Sequence, residues 1–135
     1  MNYLLDTTTL SALMRRDARV QARLTAIAPA DRVAICAITR GEIRYGLARL
    51  PEGKRRDDLE AEARYVFAQM PCLPVPEAAA DRYALVKRHA EQGGTPLDEN
   101  DLWIAATALS MDAVLVSTDS DFRRVHGLTV EDWTR

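Results

Sequence analysis

The amino-acid sequence predicts an α/β fold of three layers, with helices on both faces of a mostly parallel central sheet of four to five strands. Three observations lead there. Short apolar runs recur along the chain as Tyr3–Leu5, Val33–Cys36 and Ala113–Ser117. Segments with the spacing of amphipathic helices separate them. Two of the runs stop abruptly at polar residues, Asp6 and Thr118. Apolar strands joined through helices imply parallel pairing with both sheet faces covered.

Each element has its own signal. The first strand, Tyr3–Leu5, ends at Asp6, with Thr7, Thr8 and Thr9 reading as a polar turn and Leu10–Met14 as a short helical turn. From Asp17 onward, Val20, Leu24 and Ile27 share a helical face among arginines, and Pro29 ends that helix. The second strand, Val33–Cys36, precedes Thr39-Arg40-Gly41-Glu42, a capping-box pattern that opens a helix to about Leu50. Pro51 and Gly53 break it. The next helix runs from about Lys54 to Gln69 on Leu59, Ala63, Val66 and Phe67. Between Pro71 and Pro76, Cys72–Val75 has room only for a short edge or entry strand. Glu77–Gln92 is helical, with Tyr83, Val86 and Ala90 on one side. Gly93-Gly94-Thr95-Pro96 is a loop, and Asp98 starts a helix to about Ser110. Ala113–Ser117 is the clearest strand, and Leu128–Val130 predicts a last one.

The 135 residues predict a single domain, 1–135, able to bury roughly two thirds of its unfolded surface. Twenty acids against 18 Lys+Arg give a net charge of −2. That excludes a strongly basic nucleic-acid module but not a local basic patch. Aromatics at 6% are too few for a broad base-stacking platform. Cys36 and Cys72 form no CxxC, so a disulfide framework is not expected and a reducing, cytoplasmic compartment fits. No apolar run is long enough to span a membrane. The Met1–Asp6 start, uncharged until it meets an acid, predicts no signal peptide. Of the 18 cations, 16 are Arg, whose forked donors suit phosphate.

Four acids fall where a site would form. In parallel α/β sheets, ligands gather at the carboxyl ends of strands and the N-termini of following helices. Asp6 ends the first strand, and Asp119 follows the Ala113–Ser117 strand. Glu42 and Asp101 lie in first helical turns. Each has a plain structural reading as well: a turn residue for Asp6 and Asp119, the end of the capping box for Glu42, a dipole partner for Asp101. Asp98, Glu99 and Asp121 are equally near in sequence, and physics alone does not choose among them. If the strands are neighbours, four carboxylates at one edge repel one another. A hard divalent cation, Mg²⁺ or Mn²⁺, resolves that conflict with oxygen ligands.

Four blocks carry a family resemblance. Tyr3-Leu4-Leu5-Asp6-Thr7-Thr8-Thr9-Leu10-Ser11 resembles the start of a PIN domain of the VapC type, the toxin half of a toxin–antitoxin pair. Ile38-Thr39-Arg40-Gly41-Glu42-Ile43-Arg44-Tyr45-Gly46-Leu47 is similar to the second block. Asn100-Asp101-Leu102-Trp103-Ile104-Ala105-Ala106-Thr107-Ala108 resembles the third, and Val114-Leu115-Val116-Ser117-Thr118-Asp119-Ser120-Asp121-Phe122 the fourth. They occur in family order over residues 3 to 122. The resemblance implies a PIN-like fold and places metal-binding, catalytic acids at Asp6, Glu42 and Asp101, with Asp119 as the fourth in preference to Asp121. The family usually has Asn where this chain has Thr8, which removes an amide and leaves a hydroxyl.

What the resemblance implies functionally is a Mg²⁺- or Mn²⁺-dependent endoribonuclease that cuts tRNA or rRNA to inhibit translation. A cognate antitoxin would neutralise it. A homodimer, higher toxin–antitoxin complexes and DNA contact only through the antitoxin are further expectations. Thr7, Thr8 and Ser117 are expected to hold the acids in place. Arg15, Arg16, Arg40 and Arg44 are the expected RNA contacts, in a region where residues 40 to 56 carry six cations and two acids. His89 and His126 read as surface residues. Two alternatives remain: a PIN-like scaffold that binds RNA or a partner without cutting, and a phosphoacceptor receiver domain. The latter needs a Lys at a late strand end, whereas Lys54 and Lys87 lie in predicted helices.

Overall fold

The computed structural model describes residues 1–135. Its elements are β1 (Asn2–Leu5), α1 (Thr7–Met14), α2 (Ala18–Thr25), β2 (Arg32–Cys36), α3 (Ala37–Ala48), α4 (Lys54–Phe67) and β3 (Cys72–Leu73). They continue with α5 (Glu77–Gln92), α6 (Glu99–Ser110), β4 (Ala113–Val116), a 3₁₀ turn (Ser120–Arg124) and β5 (Val130–Glu131). Five strands form one sheet in the order β3-β2-β1-β4-β5. Every pairing is parallel, so the sheet is wholly rather than mostly parallel.

Strand periodicity divides the core in two. Successive side chains on a strand point to opposite faces. Leu5, Ile35 and Val116 therefore join Leu10, Leu13, Val20, Ile43 and Val66 from α1 to α4 on one side. Leu4, Cys36 and Leu115 join Val86, Leu102, Ala105 and Phe122 on the other. All four residues of β4 are buried, as its unbroken apolar run demands. Trp133, fully buried, closes the first core against Tyr3 at 5.5 Å between ring centroids. No helix is long and apolar enough to cross a membrane.

Three local expectations change. Thr7–Thr9 are the first turn of α1 and not a loop, because the Asp6 side chain accepts a hydrogen bond from the Thr9 amide and caps the helix at once. The Thr39–Glu42 capping box does not form. β2 runs straight into α3, which begins at Ala37 with Cys36 at its cap position and no side-chain cap bond. Thr39 is thereby buried inside the helix, its hydroxyl unpartnered, and Glu42 is free to face elsewhere. The last strand is Val130–Glu131, two residues beyond the start of the predicted run, because it pairs with Leu115 and Val116 at the carboxyl end of β4.

The strand order places the site. From β1 the chain moves outward to β2 and β3, then returns to β4 on the other side of β1. β1 and β4 thus flank a topological switch point, where loops diverge and leave a crevice at the carboxyl ends. Asp6 follows β1 there, and Ser117 to Asp119 follow β4.

Candidate active site

Asp6, directly after β1 at the carboxyl edge of the sheet, is 2% exposed. Its Oδ1 accepts from the Thr8 hydroxyl at 2.7 Å and the Thr9 amide at 3.0 Å. Its Oδ2 accepts from the Ser117 hydroxyl at 2.6 Å. Burial pushes the carboxyl above its ordinary value, and the hydrogen bonds from Ser117, Thr9 and Thr8 pull against that. The same hydroxyls tie β1 to the loop after β4. Ser117 Oγ accepts from the Asp119 amide at 2.9 Å, and Thr8 Oγ1 accepts from the Thr118 amide at 3.0 Å. A threonine at position 8 therefore both donates to Asp6 and locks the Thr118 backbone.

Glu42 reaches the crevice from the second turn of α3. Its Oε1 accepts from the Thr7 hydroxyl at 2.6 Å, and Asn100 Nδ2 lies 3.4 Å from Oε2. Asn100 was not singled out by sequence reasoning. Its signal was adjacency: it immediately precedes Asp101 in the first turn of α6. Asp119 caps the 3₁₀ turn, accepting from the Asp121 amide at 2.9 Å. Asp121 itself points outward and pairs with Arg124 at 3.0 Å.

Asp101 receives the field of the others. Half-buried in the first turn of α6, its carboxyl is pushed up to about 7. Desolvation is the largest cause, followed by the charges of Asp98, Asp119, Glu42 and Asp6. No hydrogen bond or cation offsets these effects. Four acids that the sequence placed separately thus bear on one another, with exposed Asp98 at the rim.

The donor set is all carboxylate oxygen with hydroxyl support, which suits a hard divalent cation retaining several waters. It is not a finished cage: no three His, Cys, Asp or Glu side chains close around one point. Asp6 and Glu42 are instead held by hydroxyls, while Asp101 stands without a partner. Crowding by burial and like charges makes the Asp101 carboxyl hold its proton up to about 7, and a divalent cation would take that proton's place, so this oxygen donor set fits such an ion.

The arginines divide. Arg40 lies over the Phe67 ring at 4.5 Å, and Arg44 at 5.3 Å from the same ring while also pairing with Glu60 at 3.2 Å. Arg15 and Arg16 are both exposed, and Arg16 pairs with Glu62. The positive stretch of residues 40 to 56 is laced with ion pairs from α4, including Lys54–Asp58 and Arg56–Glu60. Lys54 lies on α4, and Lys87 lies on α5 beside Glu99. Neither ends a strand, as a receiver domain requires.

Comparison with known proteins agrees with this arrangement. The PIN domain family model matches residues 3–128. Ribonuclease VapC1 of Haemophilus influenzae is 30% identical over 142 aligned residues, covering 100% of both chains. Among solved structures, VapBC-1 from nontypeable Haemophilus influenzae superposes with a TM-score of 0.88 at 28% identity over 100% of each chain. FitAB bound to an IR36 DNA fragment superposes with a TM-score of 0.82 at 28% identity, covering 98% of this chain and 96% of that one. FitB is a toxin of Neisseria gonorrhoeae. With the acids gathered at the β1/β4 switch point and a family match over nearly its whole length, this chain belongs to the PIN domain family and, within it, to the VapC group.

Proposed function

We propose that this chain is a Mg²⁺- or Mn²⁺-dependent endoribonuclease, folded as a single domain over 1–135, and the toxin of a toxin–antitoxin pair. The observation that carries the reading is the placement of Asp6 and Asp119 at the carboxyl ends of the paired strands β1 and β4, tied together through Ser117, with Glu42 held beside them by Thr7 and the Asp101 carboxyl raised by burial and by their charges. The naming of Haemophilus influenzae VapC1 as a ribonuclease supports the activity. The VapBC-1 structure supports a cognate antitoxin as partner, and the DNA-bound FitAB structure supports DNA contact through that antitoxin. A homodimer, a cytoplasmic setting and tRNA or rRNA as the target whose loss stops translation complete the proposal.

Asp6, Asp101 and Asp119 would hold the ion, with Glu42 as a fourth ligand or as the group that orients the attacking water. When bound, the ion supplies Lewis-acid activation of that water and offsets charge on the phosphodiester oxygens. The chain contributes position. Thr8 and the Thr9 amide occupy Oδ1 of Asp6 and Ser117 holds Oδ2, so the carboxylate presents its free lone pair on Oδ2 in one direction. Ser117 also holds the Asp119 backbone, which couples the two acids. Thr7 fixes Glu42, and Asn100 restrains its other oxygen. Arg15, exposed near the first block, is available to RNA phosphate, whereas Arg16, Arg40 and Arg44 must first leave Glu62, Phe67 and Glu60.

The test is cleavage of total RNA by the purified chain with Mn²⁺ or Mg²⁺, with and without EDTA. Cleavage with metal and its loss in EDTA is the expected result. RNA binding without cleavage under every metal condition assigns the chain instead to a non-cutting scaffold. Thr7→Val gives a finer check. It removes the donor at 2.6 Å while keeping the shape of the side chain. Supporting contacts of this kind typically matter by about 10–100-fold. The expected outcome is a kcat about tenfold lower with KM nearly unchanged, and an unaltered kcat would show that Thr7 does not position Glu42 for the chemistry.

A further inference from the structure

A cleft of about 350 Å³ opens between α5, the C-terminal end of α6 and the segment after the 3₁₀ turn. That volume suits one small ligand. Three arginines line it, Arg82, Arg88 and Arg124, together with His89 and His126. The two imidazole rings lie 6.1 Å apart, tilted by 40°. Leu97 and Leu109 supply part of an apolar wall, and no Asp or Glu lines the space. Arg88 and Arg124 do touch carboxylates outside it, Glu91 at 3.7 Å and Asp121 at 3.0 Å. Both pairs are well exposed, and such pairs hold their partners weakly.

Forked cations, apolar side chains and two imidazoles lining one cleft have the chemistry that recognises a nucleoside phosphate. Guanidinium forks match phosphate oxygens bidentately. Imidazole and guanidinium planes stack on bases. The cleft also shares two elements with the carboxylate site. α6 carries Asp101 in its first turn and Leu109 near its end, about 12 Å further along the axis. The 3₁₀ turn starts beside Asp119 and ends at Arg124. A stacked strand rises about 3.4 Å per nucleotide along its axis, so that distance is a few nucleotides of a strand.

We propose that this cleft is a nucleotide subsite, taking one nucleotide of the RNA strand away from the cleaved bond. The identity of the strand rests on the ribonuclease reading above; the chemistry of the cleft does not.

The experiment has two arms on the full chain and on the double variant Arg82→Gln/Arg88→Gln, both exposed positions whose exchange leaves the fold intact. In the first, 5′-AMP, adenosine and inorganic phosphate are titrated while the imidazole NMR signals of His89 and His126 are followed. AMP is expected to move both signals, adenosine to move them less, and the double variant to bind AMP roughly tenfold more weakly. In the second, cleavage of a long RNA and of a dinucleotide is compared. The variant is expected to raise KM for the long RNA about tenfold at unchanged kcat and to leave the dinucleotide unaffected. Its salt dependence should flatten by about 0.7 per cation removed. Silent imidazole signals with both AMP and phosphate overturn the site. AMP binding lost in the variant with an unmoved KM overturns the strand assignment and leaves a free-nucleotide site. If the parent cuts no RNA at all, the ribonuclease reading fails, and the AMP titration still decides the cleft.

Discussion

Asp101→Asn is expected to abolish RNA cleavage, by about 10³-fold or more, while making the metal-free protein more stable at neutral and alkaline pH. The two effects have one cause. The Asp101 carboxyl is pushed up to about 7 by burial and by Asp98, Asp119, Glu42 and Asp6. In the unfolded chain it returns to an ordinary carboxylate value of about 3.9. Between those values the folded state binds the proton more tightly. Stability therefore falls as pH rises from about 4 to about 7, and levels off above that. Because Asp101 is only half-buried, solvent screening reduces the cost to on the order of 1–2 kcal/mol. Asn carries no charge and escapes it. Thermal melts in EDTA should show parent and variant alike near pH 4, with the variant a few degrees higher near pH 8. Added Mn²⁺ should raise the parent and not the variant. A variant that is inactive and also less stable at pH 8 would make Asp101 a structural residue and remove it from the site.

Asp6→Ala is expected to produce the largest loss of stability among the site variants, about 3–5 kcal/mol. Ala removes the cap of α1, worth roughly 1 kcal/mol. It also removes the acceptor of the buried Ser117 hydroxyl proton and of the half-buried Thr8 hydroxyl proton, whose bonds at 2.6 and 2.7 Å end on the same carboxylate. Each polar group left unpaired in a buried setting costs about 1–3 kcal/mol. That total is a large part of the ~5–15 kcal/mol by which domains are stable. Asp6→Asn should behave differently. Its amide oxygen still caps α1 and accepts from Thr8, and its neutral amide avoids the burial penalty that raises the Asp6 carboxyl. Chemical denaturation should therefore separate Ala, strongly destabilised, from Asn, close to the parent. Both should be inactive. An active Asp6→Asn variant would show that the charge of Asp6 is not needed and that its role is to cap α1.

The strands were legible because their chemistry is one-dimensional. Ala113–Val116 is apolar at every position, and a strand buried on both faces requires that. The placement of Asp6 and Asp119 followed from the same runs, since parallel strands end at one edge. Thr7–Thr9 misled because threonine favours turns, and the cap that makes them helical is a contact of Asp6 with the Thr9 amide. The Thr39–Glu42 box misled because β2 passes into α3 without a connecting loop, so the helix begins before the box. That Arg40 and Arg44 both lie over Phe67 was not legible, because Phe67 comes from a different helix.

By itself the sequence determined the parallel α/β layering and the acids Asp6 and Asp119 just past two strand ends, because hydrophobic periodicity and strand termination are local properties; Glu42, expected in a first helical turn, lies in the second turn of α3. Only the tertiary structure decided which hydroxyl holds which carboxylate. Thr7 meets Glu42 across 35 positions, and Ser117 meets Asp6 across 111. Contacts at such separations depend on strand order and crossover, which no local pattern encodes. The mutual field that raises Asp101 exists only once β1 and β4 have paired and α3 and α6 have docked beside them.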